Sequence, residues 1–163
     1  PSVDGIKTGS TSEAGYSLVS SAIRNEMRLI SVVLGTASSK ARIDGSQALL
    51  NYGYRFFSTE TLFRANEQII NPKTWKAENN STSIGIADDL TITLPKGASK
   101  RLVYENNLPE IIEGPIISKQ KIGSVSISLD DEIINTVPLV ALEDNPSGGI
   151  LKQIQDTIQL WFE

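Results

Sequence analysis

The hydrophobic positions change their rhythm along the chain, and each change predicts a change of element. Val3 to Gly9 alternates loosely and predicts a short strand ending at Gly9, where the missing side chain lets a ligand or another backbone come close. Ser10 to Gly15 is turn-like, and Tyr16 to Ile23 predicts a second strand carrying Leu18, Val19 and Ile23. Arg24-Asn25-Glu26 is polar and closes a hairpin. Met27 to Gly35 supplies Leu29, Ile30, Val32, Val33 and Leu34 in a nearly continuous apolar run, which predicts a strand buried on both faces. These strands are expected as neighbours in one antiparallel sheet. From Ser39 to Phe57, Ile43, Leu50 and Tyr54 fall at i, i+7 and i+11, the spacing of a helix packed on that sheet with Ser39 as its N-cap. Gly45 and Gly53 weaken that helix by about 1 kcal/mol each relative to alanine.

From Thr59 onward short β-like runs alternate with turn signals. Candidate strands are 68–71, 75–78, 83–86, 90–94, 101–105, 111–112, 124–129, 132–136 and 139–142. Thr91 to Leu94 and Val125 to Leu129 alternate cleanly, so one face of each is expected buried and the other wet. Asp130-Asp131 reads as a hairpin turn and Pro95-Lys96-Gly97 as another turn. Asn145-Pro146-Ser147-Gly148-Gly149 reads as a linker. After it, Ile150, Leu151, Ile154, Ile158, Trp161 and Phe162 fall on one side of a helix, with Lys152, Gln153, Gln155, Asp156 and Gln159 on the other. Such a helix either docks on a folded core or lies in a membrane interface, which its closing aromatic residues favour. The whole predicts an α+β chain: antiparallel strands plus a helix over 1–57, a small all-β sandwich over 58–145, and a linker with an amphipathic helix over 146–163.

Composition narrows the chemistry. The 163 residues carry a net charge of −4 with no basic block, which argues against nucleic-acid binding. There is no cysteine and no histidine, so thiolate chemistry, histidine triads and most catalytic zinc sites are excluded, and no metal or cofactor is expected. No apolar run reaches the ~20 residues that span a bilayer as a helix. Pro1 is not a translation start, so a processed, truncated or proteolysed product is expected.

Lys7-Thr8-Gly9 is a short signal that also occurs as a solvated turn. It is, however, one of the three motifs of penicillin-binding proteins and serine β-lactamases, beside a Ser-x-x-Lys nucleophile and a Ser-x-Asn. Around it stand Val3-Asp4-Gly5-Ile6, Ala14-Gly15-Tyr16-Ser17-Leu18-Val19 and Met27-Arg28-Leu29-Ile30-Ser31. Further on come Tyr54-Arg55-Phe56-Phe57, Leu94-Pro95-Lys96-Gly97 and Trp161-Phe162. Taken in order over essentially the whole chain, these segments resemble the D-alanyl-D-alanine carboxypeptidases, the low-molecular-mass penicillin-binding proteins of the type-five class.

The resemblance implies that 1–57 is the C-terminal remnant of a β-lactamase/transpeptidase-like domain, 58–145 the family's all-β domain and 146–163 a membrane anchor. It implies a serine-type hydrolase that trims the terminal D-alanine of peptidoglycan pentapeptides through an acyl-enzyme and is acylated by β-lactams. Lys7 would supply a fixed positive charge, and Thr8 would hydrogen-bond the substrate carboxylate. The backbone of Thr8, Gly9 and Ser10 would pair with the peptide and help form the oxyanion hole. Arg42 would face the substrate carboxylate; read from the residues alone it is an exposed arginine at a helix start. Ser10 stands where relatives carry histidine. The resemblance also implies a periplasmic location, peripheral on the outer face of the bacterial inner membrane. There Ile150, Leu151, Ile154, Ile158, Trp161 and Phe162 would meet lipid, weakly and insensitively to salt because the helix has one lysine.

No catalytic residue is expected in this chain, because no Ser-x-x-Lys or Ser-x-Asn precedes Lys7. Ser118-Lys119-Gln120-Lys121 has the spacing but follows Lys-Thr-Gly and stands before a strand, where the lysine cannot face the serine across a helical turn. Tyr104-Glu105-Asn106 imitates a Tyr-x-Asn motif in the wrong order. The chain alone is therefore expected to be inactive, with an incomplete sheet open to self-association. The other readings are a non-catalytic β stalk or positioning module for partners or membrane, and a generic secreted β-sandwich adhesin or inhibitor.

Overall fold

The computed structural model describes residues 2–161 and divides into two compact units. The first holds residues 1–60 with 92–99, the second 61–91 with 100–163. The expected boundary near residue 58 put 92–99 in the second unit. They lie in the first because Thr59 and Thr93 join their hydroxyls at 2.8 Å and the Lys96 amide donates to the Phe56 carbonyl at 2.8 Å.

In the first unit β1 (Ser2–Thr11), β2 (Gly15–Arg24) and β3 (Met27–Thr36) form an antiparallel sheet in the order β1-β2-β3. Asn25 and Glu26 both adopt positive φ, 49° and 63°, the backbone of a two-residue hairpin turn whose twist suits the strands. The helix α1 (Ser39–Phe56) lies on β2 and β3. Its N-cap is Ser38, one residue before the expected Ser39: the Ser38 side chain is the one that accepts the Ala41 amide, at 3.1 Å.

Alternation decides which strand residues meet α1. Leu18, Ser20 and Ala22 of β2 stand opposite Val33, Ser31 and Leu29 of β3. Ala22, Met27, Leu50 and Tyr54 make the core, with Leu29 and Phe57 against it. At its centre the hydroxyls of Ser20, Ser31 and Ser46 meet at 2.5 to 2.8 Å, which lets α1 approach the sheet with its polar atoms satisfied. The expectation that β3 is buried on both faces is corrected. Ile30, Val32 and Leu34 are 63%, 55% and 70% exposed, because α1 covers one face only. Ile43 is exposed too; it borders a cavity of about 700 Å³ between β1 and α1, beside Val3, Ile6, Leu18 and Leu50.

The chain leaves α1 into β4 (Phe57–Phe63), which pairs with β7 (Leu90–Pro95) and was not anticipated as a strand. The second unit has one five-stranded sheet, ordered β5-β6-β10-β9-β8. Its strands are β5 (Gln68–Ile70), β6 (Ile84–Gly85), β8 (Leu102–Asn107), β9 (Lys121–Leu129) and β10 (Glu132–Ala141). Asp130 and Asp131, at φ 52° and 67°, turn β9 into β10. The two candidate strands at 132–136 and 139–142 are one strand: Pro138 is accommodated because β6 pairs only with Val140 and Ala141. Of two other candidates, 75–78 forms isolated bridges instead, Trp75 with Glu113 and Ala77 with Ser147, and 111–112 is not a strand, the bridge falling at Glu113. The core packs Ile84, Ile86, Val125, Leu139 and Ala141 of the sheet region against Ile112 and Ile116 of this bridged segment. The helix α2 (Ile150–Leu160) closes the unit.

Candidate functional site

β1 is an outer strand of its sheet, so among the described residues one of its edges has no strand partner. Lys7, Thr8, Gly9 and Ser10 lie on it opposite Val19, Leu18, Ser17 and Tyr16. All four are exposed. Such an edge offers backbone N–H and C=O groups to an extended peptide at β-sheet spacing. The Lys7 ammonium donates to the Thr8 carbonyl at 2.8 Å. A Cβ at Gly9 would meet no atom within 4 Å, so nothing in the described chain demands glycine there. The close approach expected at Gly9 is therefore open to a ligand.

Arg42 reaches the same place from the first turn of α1. Its Nη1 donates to the carbonyls of Gly9 at 3.1 Å and Ser17 at 3.3 Å, and its Nη2 to the Ser39 hydroxyl at 3.2 Å. The guanidinium stands 5.5 Å from the Tyr16 ring centre, within cation–π range. Arg42 is thus half-buried and tied to the hairpin that carries Lys7-Thr8-Gly9, instead of trailing from a helix start. Its Nε is buried without a partner, as is the hydroxyl of Tyr54, which lines the cavity between β1 and α1. At the other end of β1, the Arg28 guanidinium donates to Asp4 at 2.7 Å. With the Ser21 hydroxyl it holds the Asp4 carboxyl below the usual carboxylate range.

The imitation motifs sit elsewhere. Ser118 is in a turn, its amide bound to Asp144 at 2.6 Å and its hydroxyl to the Leu142 carbonyl, so no helix places Lys121 against it. Tyr104 lies on the outer strand β8 with its ring 5.4 Å from that of Phe63.

The terminal helix is a second candidate surface. Ile150, Leu151, Ile154, Ile158 and Trp161 are 78%, 84%, 54%, 54% and 84% exposed. Phe162 lies outside the described residues. The side that packs inward is polar: Asp156, 7% exposed, accepts the Lys76 amide at 2.7 Å and the Lys152 ammonium at 3.1 Å. Burial pushes the Asp156 carboxyl up, but these two donors and the nearby Lys73 outweigh it and hold it below its ordinary value. The sequence places Asp156 only on the polar side of the helix; nothing in its periodicity marks which polar residue of a helix will be buried. No helix among the described residues is long and apolar enough to cross a membrane.

Residues 57–147 match the family model described as penicillin-binding protein 5, C-terminal domain. Residues 1–38 match the model described as D-alanyl-D-alanine carboxypeptidase. The chain is 38% identical over 162 residues to D-alanyl-D-alanine carboxypeptidase DacA of Escherichia coli, covering 98% of this chain and 40% of that protein. It is 29% identical to D-alanyl-D-alanine carboxypeptidase DacF of Bacillus subtilis, covering 99% of this chain and 42% of that one. Among solved structures it superposes on penicillin-binding protein 5 from Haemophilus influenzae with a TM-score of 0.78 at 36% identity, covering 89% of this chain and 43% of that one. The chain thus spans about two fifths of the length of the curated relatives it matches.

Proposed function

The chain belongs to the family of penicillin-binding protein 5 C-terminal domains, and from that premise we propose that it is part of a serine-type D-Ala-D-Ala carboxypeptidase. In this reading the enzyme trims the terminal D-alanine of peptidoglycan pentapeptides through an acyl-enzyme, and β-lactams acylate the same serine. The observation that carries it is Lys7-Thr8-Gly9 on an open sheet edge with Arg42 bound to the Gly9 carbonyl. The peptide adds to the edge at Thr8 to Ser10, and one backbone N–H there stabilises the developing oxyanion. The Thr8 hydroxyl donates to the substrate carboxylate, while Lys7 and Arg42 supply positive charge beside it. The serine nucleophile is outside these 163 residues, so the chain alone is inactive. The open cavity beside Tyr54 and the bare face of Ile30, Val32 and Leu34 fit a domain completed by further protein; in the isolated chain the same face supports self-association.

The second unit with α2 is the positioning part. It holds the catalytic domain at the outer face of the inner membrane, in the periplasm, with the apolar side of α2 in the lipid interface. The exposure of five large apolar residues on one short helix favours this role. A fluorescent penicillin tests the enzyme reading. The 163-residue chain takes no covalent label, whereas the whole protein carrying it does, and Lys7→Ala slows that labelling about 100-fold, the order expected for losing one charge-stabilising donor. Labelling of the short chain, or unchanged labelling of the Lys7 variant, would overturn it.

A further inference from the structure

The backbone groups of β1 form two alternating sets, one turned to β2 and one to the open edge. Arg42 shows which set is which. Its Nη1 donates to the Gly9 carbonyl at 3.1 Å and to the Ser17 carbonyl at 3.3 Å, and Gly9 and Ser17 stand opposite each other in the β1–β2 pair. One nitrogen reaches both oxygens only where the two carbonyls face one another between the strands. The Gly9 carbonyl is therefore turned to β2, and so is the Gly9 N–H on the same side of the strand. The Gly9–Ser10 peptide is trans, so its C=O and N–H point opposite ways, and the Ser10 N–H is aimed out of the open edge.

The guanidinium is committed to that peptide unit. Of the five N–H groups of an arginine, two go here to Gly9 and Ser17 and one to the Ser39 hydroxyl, and Nε is buried. One Nη2 N–H remains, too few for the two-pronged grip of an arginine on a carboxylate. The Tyr16 ring, 5.5 Å from the guanidinium, and the helix α1 that carries Arg42 hold the group in place. A positive charge at the carbonyl end of a peptide also polarises it and strengthens its N–H as a donor. A donor fixed in direction before the reaction is what a developing oxyanion requires.

We propose that Arg42 is a positioning residue: it grips the Gly9 carbonyl so that the Ser10 N–H becomes the edge donor offered to the oxyanion. This goes beyond the charge Arg42 places near the substrate carboxylate, and it rests on the carboxypeptidase reading given above.

The test uses the whole protein carrying this chain and a fluorescent penicillin, with the binding constant K and the acylation rate constant k2 measured separately. A group that acts on the transition state changes k2, whereas one that grips the bound carboxylate changes K. Arg42→Ala is expected to lower k2 about tenfold, less than the roughly 100-fold of losing an oxyanion donor outright, and to leave K within about twofold. Arg42→Lys keeps the charge but loses the planar fork, and is expected to lower k2 at least about fivefold. A rise in K with k2 unchanged, or full recovery of k2 by lysine, overturns the proposal. The wild type supplies a measurement that needs no substitution. On acylation the amide proton resonance of Ser10 is expected to shift and that of Gly9 to stay, and the reverse overturns the proposal even where the variants do not fold. A wild-type protein that takes no label would remove the carboxypeptidase reading and this proposal with it; the outcomes above remove this proposal alone.

Discussion

Asn145 opens the stretch that reads as a linker, yet it is 1% exposed. Its Oδ1 accepts the Asn79 amide at 2.9 Å. Its Nδ2 donates to the carbonyls of Asn79 at 3.1 Å and Ser81 at 3.2 Å, and to the Thr82 hydroxyl at 2.9 Å. Its own backbone exchanges two hydrogen bonds with Ile116, each at 2.9 Å. One side chain therefore holds the 79–82 loop to the 116 bridge.

Replacing it with alanine leaves four protein groups without that partner. Asn79 is exposed and its two groups recover water, and Thr82 keeps the Thr74 hydroxyl at 2.8 Å, so the Ser81 carbonyl and the vacated space carry most of the cost. At about 1–3 kcal/mol for a buried group left unsatisfied, plus a small cavity, the loss is about 2–4 kcal/mol. Aspartate is worse near neutral pH, because its carboxylate would face the Asn79 and Ser81 carbonyls. Those carbonyls raise its folded pKa above the unfolded one, so the added penalty appears as pH rises above the ordinary carboxylate range and shrinks on acidification. Both tryptophans belong to the second unit, and Trp161 is already exposed, so Trp75, 4% exposed, reports its unfolding by emission shift in a urea titration. A midpoint change in Asn145→Ala equivalent to less than about 0.5 kcal/mol would refute this account.

The remaining expectations are smaller. Ser46→Ala costs about 1 kcal/mol in the first unit, because Ser20 and Ser31 still satisfy each other at 2.8 Å; amide exchange across α1 measures it, and a loss beyond about 3 kcal/mol would mean the hydroxyls act as one unit. Asp4 and Asp156 are both held below the ordinary carboxylate range, so what they contribute is present above that range and lost as pH falls through their folded values. Amide protection of 150–160 is therefore expected to stay flat from about pH 7 to pH 5 and to fall in more acid solution, below the ordinary aspartate value near 4; a fall between pH 7 and 5 would count against the Asp156 anchor.

How much was legible depends on where each signal lives. Hairpins came through because their turns are local: Asn25-Glu26 and Asp130-Asp131 lie between runs whose alternation is visible in sequence. Burial of β3 on both faces did not hold, because an apolar run shows that a strand has two apolar faces and not that two layers are present to cover them. In the described chain α1 covers one. The strand β4 went unseen because it starts where α1 stops, at Phe57, and Phe57 also suits the end of the helix. The bridges at Trp75, Ala77 and Ile116 join residues far apart in sequence, and no period records such pairing.

The same distinction separates the two candidate surfaces. Lys7, Thr8 and Gly9 could be named in advance because a motif fixes residue types at adjacent positions on one strand, and the structure adds their open edge and the bonds of Arg42, also named in advance, to the Gly9 and Ser17 carbonyls. Amphipathicity of α2 was equally plain, but it leaves undecided which side packs. The hydrophobic effect alone would turn Ile150, Leu151, Ile154 and Ile158 inward. The fold instead spends its inward contacts on a left-handed Lys76 amide and a buried carboxylate, each costly to desolvate without the other. The exposed apolar side supports the proposed interfacial role of the helix, and the direction in which it docks supports that proposal more than its amphipathic sequence does.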